Sequence, residues 1–162
     1  MSAAFPNVPT IQYEGPASKN PLAFKHYDAN ELVEGKPMRE HLRFSVVYWH
    51  TMCGQGADMF GSGTAIRPWE KGLAGLDLAK ARVPVFFEIC ENLGAPYYAF
   101  HDRDVAPHGQ TLRQSNQYLD TITKLLKAQQ KKTGIKLLWG TAQLFVHPRY
   151  CHGAATSCDA NV

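Results

Sequence analysis

Tyr97-Tyr98-Ala99-Phe100-His101-Asp102-Arg103-Asp104 is the stretch from which the rest of this chain is read. Its aromatic and apolar run predicts a short buried strand, with a histidine at the C-terminal end and Asp104 three residues beyond it. In β/α proteins that end of a strand is where chemistry sits. A neutral imidazole held by a carboxylate can serve as base or acid near neutral pH. On pattern alone, His101 reads equally well as a satisfied structural histidine. Asp102 competes with Asp104 as its partner, or instead pairs with Arg103 or caps a loop.

Upstream, Leu42 to Trp49 is β-branched and aromatic and predicts a first strand, followed by a glycine-rich loop over residues 51–72. From Leu76 to Asn92 apolar residues recur at helical spacing, and Gly94 supplies a stop. Pro84 lies inside this helix, where a lost hydrogen bond predicts a kink costing about 3 kcal/mol. Downstream, a loop at Pro107 to Gly109 leads into an amphipathic helix from Thr111 to Lys132, ended by Gly134. Ile135 to Trp139 then predicts a third strand. Strand, helix, strand, helix, strand is the order of parallel βαβ units with right-handed crossovers.

Three strands and two helices occupy about 100 residues, whereas a closed eight-fold barrel needs about 250. The expected fold class is therefore α/β: the N-terminal part of a (β/α) TIM barrel, about three βα units. Residues 1–40, rich in Pro, Asn and Gly, predict an irregular arm that packs on the barrel part at 41–162 or on another subunit. Within the arm, Asp28-Ala29-Asn30-Glu31 offers an N-cap with an acid three residues on, predicting a short helix.

Composition narrows the function classes. The 162 residues, 44% of them apolar, suffice for one globular domain with its own core. A net charge of +3 with scattered Lys and Arg does not suit a dedicated nucleic-acid or anionic-membrane binder. Lys131-Lys132, the longest basic cluster, complements a helix C-terminus. Cys53, Cys90, Cys151 and Cys158 form no CxxC pair, so neither a disulfide framework nor a zinc site is expected; Cys90 reads as a small core residue. No targeting segment or membrane-spanning run is visible, and a cytoplasmic location is expected. Gly61-Ser62-Gly63 is too short for a phosphate loop, and no dinucleotide fingerprint occurs.

Three predicted strand ends carry comparable groups: Trp49-His50, His101 to Asp104, and Trp139 to Thr141. If the strands are parallel neighbours, these groups share one rim. Two indoles with a histidine and a carboxylate suit a neutral polyhydroxylated molecule, whose apolar faces lie on aromatics. Each indole taken alone reads more readily as core than as a ligand wall.

A family resemblance adds to this reading. It is carried by Glu14-Gly15, Ser18-Lys19-Asn20-Pro21-Leu22-Ala23-Phe24 and Met38-Arg39-Glu40-His41-Leu42-Arg43-Phe44. It continues through Tyr48-Trp49-His50-Thr51, Gly56-Ala57-Asp58-Met59-Phe60-Gly61 and Phe100-His101-Asp102-Arg103-Asp104. Lys136-Leu137-Leu138-Trp139-Gly140-Thr141-Ala142 and His152-Gly153-Ala154-Ala155-Thr156 complete it. In order and spacing the chain resembles the N-terminal portion of xylose isomerase, in the class with a longer N-terminus. Gln143 departs from the family's usual Asn, and His108 from a common Glu.

The resemblance implies an aldose–ketose isomerase that interconverts D-xylose and D-xylulose, a small-molecule sugar substrate, and a homotetramer. It also implies two divalent cations, magnesium, manganese or cobalt, promoting a 1,2-hydride shift. Carried over by position, His101 would assist opening of the sugar ring and Asp104 would fix its tautomer. Trp49, Trp139 and Thr141 would line the sugar site, and Phe60 would reach into a neighbouring subunit. The family's metal ligands, including a Glu-Pro-Lys-Pro motif, have no counterpart in these residues. The chain is thus expected to be a fragment with no metal ligands of its own, inactive in isolation. The alternative expectation is a truncated, non-catalytic product, inert or an interaction partner.

Overall fold

A computed structural model describes residues 3–145 and Tyr150. His147, Cys151, Cys158 and the motif at 152–156 lie outside the described residues.

The arm is built from two small pairings. β1 (Gln12–Tyr13) runs parallel to β2 (Ala23–Phe24). Between them the Glu14 carboxylate accepts from Ser18 Oγ at 2.6 Å and Asn20 Nδ2 at 2.7 Å. These two bonds, Ser18 first, hold the Glu14 carboxyl below its usual range. β3 (Leu32–Val33) and β4 (Lys36–Pro37) form an antiparallel hairpin. Its two turn residues, Glu34 and Gly35, have φ of 50° and 78°, as a two-residue hairpin loop requires. One helical turn, α1 (Met38–His41), follows. The helix expected from Asp28 to Glu31 does not form. Instead Asp28 Oδ1 takes the Asn30 N–H at 2.9 Å, the local bond by which Asp favours a turn.

The body begins with β5 (Ser45–Val47), three residues rather than the eight expected from Leu42 to Trp49. The aromatic run does not stay extended, because Trp49–Cys53 coils into a π turn directly after it. A 3₁₀ turn at Pro68–Glu70 precedes α2 (Gly75–Leu93), which Gly94 ends in the left-handed conformation, φ 65°. β6 (Tyr97–His101) leads into the one-turn helix α3 (Asp102–Val105), ahead of the stretch from Pro107 to Gly109. α4 (Leu112–Thr133) starts at Thr111, whose hydroxyl accepts from Gln114 N, and stops at Gly134, φ 78°. β7 (Lys136–Thr141) follows.

The three strands form one parallel sheet in the order β5-β6-β7. The register slips between Tyr98 and Ala99, which face Leu137 and Trp139, so Leu138 is the extra residue. The core contains Tyr48, Phe86, Phe87, Cys90, Tyr98, Ile122 and Leu126. Tyr98 lies 5.8 Å from the Phe86 ring and 5.2 Å from Phe87, and its phenol oxygen accepts from Gln130 Nε2 at 2.7 Å. Edge-on ring pairs of this kind add to simple burial.

α2 continues through Pro84, which is half-buried. Lys80, whose carbonyl loses a partner to the proline ring, sits at an exposed position where water can substitute. The same helix holds the start of the arm: Glu88 accepts the N–H groups of Ala4 and Phe5 at 2.8 and 2.7 Å. Phe5 meets the Trp69 ring edge-on at 5.3 Å.

Candidate functional site

His101 is the last residue of β6, and α3 turns back over it. One helical turn returns the i+3 side chain to the residue that starts the helix. Asp104 Oδ2 therefore accepts both the His101 backbone N–H and its ring Nδ1–H, each at 2.8 Å. A carboxylate opposite Nδ1 requires that nitrogen to carry the proton, which leaves Nε2 as the ring's acceptor. The side chains are only 13% and 5% exposed, so bulk water does little to weaken the pair.

Asp102 has a different task. Its Oδ1 accepts from Arg103 N and from Gln143 N, each at 2.8 Å, and its Oδ2 from Arg103 Nε at 3.2 Å. It ties the end of β6 to the segment that leaves β7. Asp104 thus holds the imidazole, and Asp102 holds backbone.

Around the imidazole stand the two indoles. The Trp49 ring centre is 4.7 Å from that of His101, the Trp139 centre is 5.7 Å away, and the indoles are 5.5 Å apart. The Phe145 ring adds an edge contact to His101 at 5.7 Å. Phe145 was not anticipated; its only signal was an aromatic shortly after a strand end. Thr141 is exposed and faces His101 across the β6–β7 register. Phe60 does not join this group. Asp58 Oδ1 accepts from Phe60 N at 2.7 Å and Gly61 N at 3.0 Å, building a tight turn that leaves Phe60 91% exposed.

Of the cluster's side chains, His101 and Asp104 are largely buried, whereas Trp139 is exposed. Two hollows lie away from this cluster: one of about 500 Å³ lined by Tyr98, Leu126, Gln130 and Leu137, another of about 570 Å³ lined by Lys36, Arg43 and Tyr97. Behind the cluster, Arg82 Nε pairs with Glu70 Oε1 at 2.8 Å. Burial opposes the Arg82 charge, but the bond to Glu70 outweighs it and the guanidinium is held above its ordinary value. Burial pushes the Cys53 thiol and the Tyr48 phenol up. The Tyr48 hydroxyl is buried without a hydrogen-bond partner among the described residues. Those residues contain no group of three or more His, Cys, Asp or Glu side chains placed to hold a metal ion, and no helix long and apolar enough to cross a membrane.

Fold and site together define a parallel α/β protein that carries a carboxylate-held histidine between two indoles at its strand ends. The chain is 58% identical over 159 residues to xylose isomerase of Rhodopirellula baltica, covering 98% of this chain and 36% of that protein. It is 54% identical over 162 residues to xylose isomerase of Thermotoga petrophila and 53% to that of Thermotoga maritima, each time covering all of this chain and 36% of the relative. The chain belongs to the xylose isomerase family and spans about a third of its curated relatives' length. No family model matches it.

Proposed function

We propose that this chain contributes the histidine-and-indole side of an active site that converts D-xylose to D-xylulose in a full-length xylose isomerase. The observation that carries this reading is the His101–Asp104 pair, with Nδ1 engaged and Nε2 left to act beside two indoles. The apolar face of a pentose lies on Trp49 and Trp139, with Thr141 beside them. His101 Nε2 takes the O1 proton of the cyclic sugar as the C1–O5 bond breaks, and returns it to O5. C1 becomes the aldehyde carbon and the proton count is unchanged. Asp104 keeps the ring in the tautomer that does this and stabilises the transient imidazolium.

The likeness to the family implies magnesium, manganese or cobalt ions for the hydride shift that follows. The described residues do not fit such ions, since no three His, Cys, Asp or Glu side chains among them are placed to hold one. We assign the sheet to the first three strands of an eight-fold β/α barrel, with residues 1–40 as an arm and 41–162 as the barrel part. Phe60, exposed on its turn, then reaches a neighbouring subunit of a cytoplasmic homotetramer. A second reading, a non-catalytic product that binds a partner, draws support from β7, every residue of which is exposed.

The test is a chimera in which residues 1–162 replace the aligned segment of the Thermotoga maritima relative. Xylose turnover is the expected result, and an inactive but folded chimera favours the second reading. His101→Asn should lower turnover of cyclic xylose about 10²–10⁴-fold and spare an aldose blocked from closing its ring. Equal losses on both sugars would contradict the ring-opening role.

A further inference from the structure

The indole wall and the acid/base pair come from separate segments, and one residue in the turn that carries Trp49 reaches the pair. Trp49 opens the π turn and Cys53 closes it. Such a turn ends in carbonyls that lack partners within it. Arg67 supplies donors: its Nη2 is bonded to the Gly54 carbonyl and reaches the Thr51 carbonyl at 3.5 Å. The Cys53 thiol, half-buried, donates to the Asp104 main-chain carbonyl at 3.5 Å. On its other side the sulfur accepts from Arg82 Nη1 at 3.9 Å, and Arg82 is itself held by Glu70 at 2.8 Å. Each sulfur bond is weak. Their placement matters more than their strength, because Glu70, Arg82, Cys53 and Asp104 form one relay ending on the residue that orients His101.

We infer that Cys53, backed by Arg82 and Glu70, is a positioning residue that couples the Trp49 wall to the His101–Asp104 pair, with Arg67 fixing the turn between them. This rests on the reading of Trp49, His101 and Asp104 as one sugar-facing set. A thiol facing only carbon would be core filling; this one has a donor on one side and an acceptor on the other. Besides the β5–β6 pairing that precedes them, the Trp49 ring packs on that of His101 at 4.7 Å, and the thiol adds a directional link to the first turn of α3.

The test uses the full chain and reads geometry rather than turnover. Trp49 and Trp139 adjoin, whereas Trp69 packs on Phe5, so the coupled indole signal in circular dichroism belongs to the first pair. Trp139→Phe identifies it by removing it. The ¹⁵N shift of His101 Nδ1 reports whether that nitrogen still carries the proton shared with Asp104. Cys53→Val and Arg67→Gln should lose the indole couplet, and Cys53→Val should also move the Nδ1 signal. Cys53→Ser, which keeps a donor and an acceptor, should retain both.

The inference is overturned if Cys53→Val keeps both signals. It is equally overturned if Cys53→Ser fails as badly as Cys53→Val, or if all three variants lose their helical signal together. Those results would mean that the residues only fill space or hold the fold. An inactive chimera would sink the functional reading and leave these signals untouched, so the two failures are distinguishable.

Discussion

β6 and β7 are parallel neighbours with similarly apolar sequences, yet they end up in opposite surroundings. In β6, Tyr98 and Ala99 are each 1% exposed, and the strand has a partner on both edges. In β7, Leu137, Leu138 and Trp139 are 40%, 47% and 41% exposed, and among the described residues β6 is the strand's only partner. A parallel strand is buried only when both edges and both faces are covered. The site therefore has one firmly held side, the histidine pair on β6, and one loosely held side, the Trp139 indole on β7. The chemistry of the proton depends on the first, and the shape offered to a sugar depends on both.

The largest expected effect comes from attacking the support of β6. Phe86 is fully buried against Tyr48, Phe87 and Tyr98. Phe86→Ala should cost about 3–5 kcal/mol, a large share of the stability of a small domain. Urea unfolding of the chimera should show a midpoint lowered to match. A loss below about 1 kcal/mol would mean that the cluster around Tyr98 does not support the strand.

What could be read from sequence divides along the same line. β6, α2 and α4 were legible because their ends are marked locally, by Thr111 at one start and by Gly94 and Gly134 at two stops with positive φ. The His101–Asp104 bond was legible because one helical turn fixes the distance between residues three apart. The π turn was hidden, since Tyr48 and Trp49 have the composition of a strand. The hairpin of the arm was hidden because Glu34, not a glycine or asparagine, takes the first positive φ. Asp102 stayed ambiguous because its deciding partner, Gln143, arrives from beyond β7. The Glu70–Arg82–Cys53 relay joins three separated segments and leaves no local pattern. Pro84 pointed to a kink; α2 runs on through it, with Lys80 at an exposed position where water can take up the freed carbonyl.

The next effect is on pH dependence. Burial pushes the Cys90 thiol, on the face of α2 that packs into the core, up to about 12. The folded-state value thus lies above that of an unfolded thiol, about 8.5. The unfolded chain releases this proton first, so the contribution to stability is full below about pH 8.5 and is lost as pH rises toward about 12. Burial also raises Tyr98 on β6 itself, so both groups destabilise the same region in alkali. Within that window the loss from one such group approaches 1.4 kcal/mol, roughly, per pH unit. Urea midpoints measured across it should fall more gently for Cys90→Ala than for the parent chain. Parallel profiles would show that the thiol is not the group responsible.

The smallest effect is the one that best sharpens the comparison. Leu138 is the extra residue at the register slip, nearly half exposed on the open edge of the sheet. In the 162-residue chain Leu138→Ala should cost under about 1 kcal/mol, since water already reaches much of the side chain. If the sheet continues beyond β7 in a full-length barrel, the same side chain gains neighbours, and in the chimera the substitution should cost about 2–5 kcal/mol. The difference between the two measurements is a direct reading of how far β7 is covered. Equal costs would mean that the edge stays open in the longer protein. The assignment of this sheet to an eight-fold barrel would then fail, while the histidine pair on β6 would still stand.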